Sequence, residues 1–212
     1  MAHEYLFKEY EFCFEQLRFY DTRHESLLKY TFSLTSAVAT AQFAVYQLLH
    51  GATVAFFGCG AILFGLVFIA TVLLFLAMLQ NRLYFVYVAR QINAIRGYLM
   101  EVAAEGFKKN QMYTSTDFPA LKILSLQTLQ IFGTALISSG FAGASAFAIR
   151  PALGSEPSGA IGVWTCVLVL IAEVSSAIAY LELSGRKSAD KAIHGRSRGK
   201  TSLDQTVHTP ST

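Results

Sequence analysis

Between Lys29 and Arg82 the chain carries no Asp, Glu, Lys or Arg. A membrane-spanning helix needs about 20 mainly apolar residues to cross roughly 30 Å of hydrocarbon, so this interval holds two spans and a short turn. His50-Gly51-Ala52-Thr53 supplies the turn, which predicts spans over about 31–49 and 54–80. A second pair follows. Residues 123–149 are free of formal charge, and 159–183 are apolar apart from Glu173 and Glu182. The proline- and glycine-bearing segment 150–158 between them reads as a loop, giving spans over about 123–149 and 160–182. The pattern predicts an all-α integral membrane fold of four transmembrane helices arranged as two helical hairpins.

The segments between the spans have their own periodicity. After Arg82, apolar residues recur at Phe85, Val88, Ile92, Ile95, Leu99 and Val102, in alternating steps of three and four that describe a coiled-coil seam. Leu6, Tyr10, Cys13, Leu17, Tyr20, His24 and Leu27 repeat that alternation near the N-terminus. Because the first two spans form a hairpin, their extensions run antiparallel and adjacent. One long helical hairpin, about 3–49 and 54–105, is expected, with its inner half an antiparallel coiled-coil stalk. At 1.5 Å rise per residue, the 82–105 extension is roughly 36 Å long. Gly106 is placed to end it, residues 108–116 form a polar return, and Asp117 before Phe118-Pro119 is the expected N-cap of a third helix. Segment 184–212, rich in Ser, Thr and Gly with almost no large apolar side chain, is expected to be a disordered tail. The divisions are therefore 1–30 (amphipathic helix), 31–80 (membrane hairpin), 81–122 (helix and return), 123–183 (membrane hairpin) and 184–212 (tail).

Charge orients this layout. Only 15% of residues are charged, against about 25% in ordinary soluble domains, and those present are unevenly placed. Of the 17 Lys and Arg, Arg150 alone falls in a loop on the side opposite the termini. That is the positive-inside pattern, and it places both termini in the cytoplasm of an inner, or plasma, membrane. The acidic and basic residues mixed through the first 29 positions do not resemble a cleavable signal peptide. Cys13, Cys59 and Cys166 lie far apart without metal-ligand spacing, so no disulfide framework, metal or cofactor is expected.

Glu173 is the sharpest single residue. In a span of 160–182 it lies within roughly 3 Å of the midplane, where a charged carboxyl costs about 2.5–3.5 kcal/mol on insertion scales and turns toward protein or water. An ion or proton site is expected from Glu173 with Ser176 and Tyr180, together with Gln42 and Gln47 of the first span; the alternative is a protonated Glu173 hydrogen-bonded to a neighbouring helix. The first span is polar for a membrane helix, with Ser33, Ser36 and Thr40 at three- and four-residue steps and Gln47 two turns further on, consistent either with helix packing or with an aqueous path. Gly58, Gly65, Ala135, Ser139 and Gly143 are candidate close-packing positions. Asp21, Arg23 and His24, facing Arg90 and Arg96 of the second helix, are the expected stalk contacts, with Arg–carboxylate pairing as the default. No nucleophile elbow, phosphate-binding glycine loop, HxxxH or CxxC occurs, so a non-enzymatic role is expected. The basic tail has no interleaved aromatic residues and suits anionic lipid rather than nucleic acid.

The layout of residues 1–105, a charged helix leading into a two-span hairpin and a helix returning to the cytosol, resembles the SLATT-type two-transmembrane effector modules of bacterial defence and nucleotide-signalling systems. The resemblance rests on arrangement rather than diagnostic residues, and the second pair of spans departs from it. It implies a membrane-bound homo-oligomer that conducts ions or perturbs the inner membrane when its cytoplasmic part receives a protein or nucleotide signal. Two alternatives remain at this stage: a membrane anchor that binds a cytoplasmic partner through the stalk, and a small proton-coupled transporter.

Overall fold

The computed structural model describes residues 2–49, 52–102 and 118–207, with side chains over 4–49, 52–100 and 118–186. Four helices account for nearly all of them: α1 (Ala2–Leu48), α2 (Thr53–Val102), α3 (Leu126–Ala152) and α4 (Gly159–Val207). Three helices, α2, α3 and α4, are long and apolar enough to cross a membrane. α1 falls short by the same measure. It has the length and lacks formal charge from 30 onward, but Ser33, Thr35, Ser36, Thr40, Gln42 and Gln47 dilute its hydropathy.

Several boundaries differ from expectation. His50, Gly51, Gly106, residues 108–116 and Asp117 lie outside the described residues. The third helix begins at Leu126, well after Pro119, because Ser125 is its N-cap: with φ −78° and ψ 143°, its hydroxyl accepts the Thr128 backbone N–H. Its last turn reaches into the expected loop through Pro151, and Gly154, at φ +75°, closes it while its N–H bonds the Pro151 carbonyl. Helical backbone continues past the expected end of the fourth span through Val207, where the sequence predicts a disordered tail. Extending a helix that already exists is far less costly than nucleating one, and no proline intervenes before Pro210.

The chain divides into two units. In the larger, formed by residues 18–82 and 122–179, Val38, Val67, Thr71, Phe75, Met78, Ile131, Ala135 and Ala177 are buried together. α3 and α4 approach each other closely. A Cβ on Gly143 would stand 2.7 Å from the Gly162 carbonyl oxygen and 2.9 Å from Cys166 Cβ, so glycine is what lets these helices meet. α2 and α3 are joined by Ser145 Oγ donating to the Ala61 carbonyl at 2.9 Å, with Gly65 leaving room for that serine.

The second unit draws on 1–17, 83–121 and 180–212. Val88, Ile92 and Ile95 of the expected seam are buried, but so are Val86, Arg90 and Asn93. The buried arc of α2 is wider than a two-stranded seam because a third partner occupies its other side. The Arg90 guanidinium donates to the Phe118 carbonyl through Nε at 2.9 Å and to the Gly185 carbonyl through Nη1 at 2.8 Å. Gly185 packs so closely on Ala120 that a Cβ there would lie 2.8 Å from that alanine's own Cβ.

Candidate functional site

Glu173 faces inward, with 8% of its surface exposed. Ser138 Oγ of α3 donates to its Oε1 at 2.8 Å, while Oε2 is buried without a hydrogen-bond partner. The polar stripe expected around it does not form. Ser176 and Tyr180 are exposed, and the Ser176 hydroxyl is turned back to the Glu173 backbone carbonyl at 2.8 Å. The inward line of α4 in this unit instead runs Gly162, Cys166, Glu173, Ala177, in steps of four with one longer interval. Beside it, Cys166 Sγ contacts Ser139 Oγ at 3.7 Å. Ser139 and Ala135 are both buried, and Gly143 packs on α4 as described. Gly65 lies against α3, whereas Gly58 has only Ala152 Cβ, at 4.0 Å, as a neighbour.

The outer half of α1 has two contrasting faces. Thr31, Val38, Gln42 and Val45 turn inward. Gln42 lies against Gly60, where a Cβ would stand 3.1 Å from Nε2, and its Oε1 is buried without a partner. On the opposite side, Ser33, Ser36, Ala37, Thr40, Ala44 and Gln47 are all exposed, and at 3.6 residues per turn they fall within about 100° of arc. Phe32, Phe43, Tyr46 and Leu48 are exposed beside this arc. The exposed faces of the other helices are richer in large apolar side chains. α2 presents Ile62, Leu66, Ile69 and Leu73; α3 presents Leu129 and Leu136; α4 presents Val163, Trp164, Leu168 and Ile171. Gln42 and Gln47 therefore do not converge with Glu173 on one site: one packs on α2 and the other points outward.

A third feature is a buried polar cluster where α1, α2 and α3 meet. Gln127 bridges two charges: its Oε1 accepts from Arg82 Nη1 and its Nε2 donates to Asp21 Oδ1, both at 3.0 Å. Asn81 Nδ2 donates to the Tyr20 carbonyl at 2.7 Å. His24 sits in this group at 1% exposure, and neither ring nitrogen makes a hydrogen bond. Its pKa is lowered, first by burial and second by the Arg82 charge; Asp21, the Gln127 backbone and the Gln130 side chain oppose this without reversing it. The two glutamines approach the ring but fall outside hydrogen-bond geometry.

Asp21, Arg23 and His24 belong to the larger unit and Arg90 and Arg96 to the second. Arg23 is exposed. Arg90 donates to the Phe118 and Gly185 backbone carbonyls. Arg96 donates to the Tyr10 hydroxyl at 3.0 Å and lies 5.5 Å from the Phe14 ring centroid, a cation–π contact. Among the described residues no cluster of His, Cys, Asp or Glu has the makings of a metal site.

Sequence reasoning missed Ser138, Gln127 and Gly162. Their signal was present: Gln127, Thr134 and Ser138 stand out as polar positions at helical spacing inside an apolar stretch, and Gly162 is the fourth-span glycine that faces Gly143. Comparison with family models, curated proteins and solved structures gives no match to this chain.

Proposed function

We propose that this is a multi-pass, non-enzymatic membrane protein with four spans, the fourth supplied by the outer half of α1, that assembles as a homo-oligomer with channel-like activity. One observation carries the reading. The outward arc of α1 carries Ser33, Ser36, Thr40 and Gln47, flanked by exposed Phe32, Phe43 and Leu48, while large aliphatic and aromatic side chains dominate the exposed faces of the other three helices. The Thr40 hydroxyl bonds the Ser36 carbonyl of its own helix, but the Gln47 amide has no partner in hydrocarbon and favours a face turned toward protein or water. Copies arranged with this face toward a common axis give an aqueous path with a polar wall and an apolar outer surface. α1 and α2 each contribute to both units of the chain, which gives their extensions a route for gating and matches what the resemblance to two-span effector modules implies. The positive-inside pattern supports cytoplasmic termini in an inner membrane.

A second reading, a proton or cation site at Glu173, draws support from its unpartnered Oε2. A single chain tests the two against each other: Thr40→Cys, made with Cys59 and Cys166 replaced by Ala, reconstituted in liposomes. A membrane-impermeant thiol reagent that modifies residue 40 and reduces ion flux supports the α1-lined path. Flux insensitive to the reagent but abolished by Glu173→Gln supports the second reading, and a monomer without flux overturns both.

A further inference from the structure

The cluster around His24 joins three helices through polar groups, and one of its members is a fully buried imidazole. We propose that His24 is a proton-operated release for the packing of α1 against α2 and α3. Its two ring nitrogens are buried without hydrogen-bond partners, so the ring is held by shape and not by directed bonds. The charged groups acting on it are Arg82 of α2 and Asp21 of its own helix; α3 faces it with the neutral amides of Gln127 and Gln130. Asp21 already accepts the Gln127 side-chain amide, and Gln127 in turn accepts from Arg82. A proton on His24 therefore adds a second cation to a buried site that already contains a guanidinium. Relief requires either water at the ring or withdrawal of α1.

The neutral ring is the form the packed state favours. Below the ordinary histidine pKa of about 6.5, the opened state takes up a proton that the packed state does not. Each further pH unit then multiplies the opening equilibrium about tenfold, until the pH reaches the lowered pKa of the packed ring. The inference concerns packing and holds whether or not the protein conducts ions.

Amide exchange of the full chain in lipid nanodiscs, corrected for the intrinsic pH dependence of exchange, tests it. Between pH 6.5 and 5.5, protection of amides in 20–30 should fall up to about fivefold in the wild type, and the same segment of His24→Gln should show no such fall. An unchanged wild-type profile overturns the proposal, as does an equal fall in His24→Gln. Should His24→Gln not fold, wild-type protection unchanged over 20–30 or lost equally around Gly143 overturns it, and loss confined to 20–30 with Gly143 still protected supports it.

Discussion

Replacing Gly143 by alanine is the sharpest test of how α3 and α4 pack. The added Cβ would stand 2.7 Å from the Gly162 carbonyl oxygen and 2.9 Å from Cys166 Cβ. The first of these is backbone and cannot rotate away, so one helix must withdraw by several tenths of an ångström. That withdrawal loosens the neighbouring contacts, including the 2.8 Å bond from Ser138 to Glu173, in an interior with little free volume. Overpacking of this kind costs about 1–3 kcal/mol. For a chain of this size each kcal/mol shifts Tm by about 2–4 °C, so Gly143→Ala should melt about 2–12 °C below the wild type. The control lies on the same helix: a Cβ at Gly140 meets nothing within 4 Å, so Gly140→Ala should melt at or slightly above the wild type, alanine being the better helix former. Thermal unfolding of both variants in one detergent decides the matter. If Gly143→Ala melts no lower than Gly140→Ala, the close approach of the two helices is wrong.

Two other substitutions follow from particular contacts. Arg90→Lys places one ammonium where a planar guanidinium reaches both the Phe118 and Gly185 carbonyls; losing one charged hydrogen bond should cost about 1.5–3 kcal/mol, read as a lower Tm and faster proteolysis after Lys122. An unchanged Tm would mean that Arg90 does not clasp these segments. Gln127→Leu removes the group that accepts from Arg82 and donates to Asp21, and should cost about 2 kcal/mol or more because a buried charge loses a partner; a loss under about 0.5 kcal/mol in chemical unfolding would contradict the bridge.

Much of the helical layout is legible in the sequence because it depends on local quantities. Charge-free intervals give the membrane-length helices, and the alternation of three and four identifies the inward side of α1 at Cys13 and His24, both buried. What the sequence does not display is which groups meet across helices. The expected companions of Glu173 lie on its own helix, at Ser176 and Tyr180, whereas its partner is Ser138 of α3; a one-helix reading misses it because rotation about the axis is fixed by the neighbour. Arg90 is similar. Spacing suggests carboxylate partners and does not display the carbonyls that bind it from chain segments 28 and 95 residues away. The start of α3 depends on a cap, and both Asp117 and Ser125 are acceptable caps until tertiary packing selects between them.

The proposed path requires the outer half of α1 to cross the membrane, alongside α2, α3 and α4, which are long and apolar enough to do so. Parity makes this measurable. With epitope tags at both ends of the full chain, antibody and protease accessibility in sealed vesicles of known orientation reports the side of each terminus. Four spans predict both tags on the same side, the one corresponding to the cytoplasm. Tags on opposite sides would mean three spans, leave the Ser33–Gln47 face outside the bilayer, and contradict the proposed path.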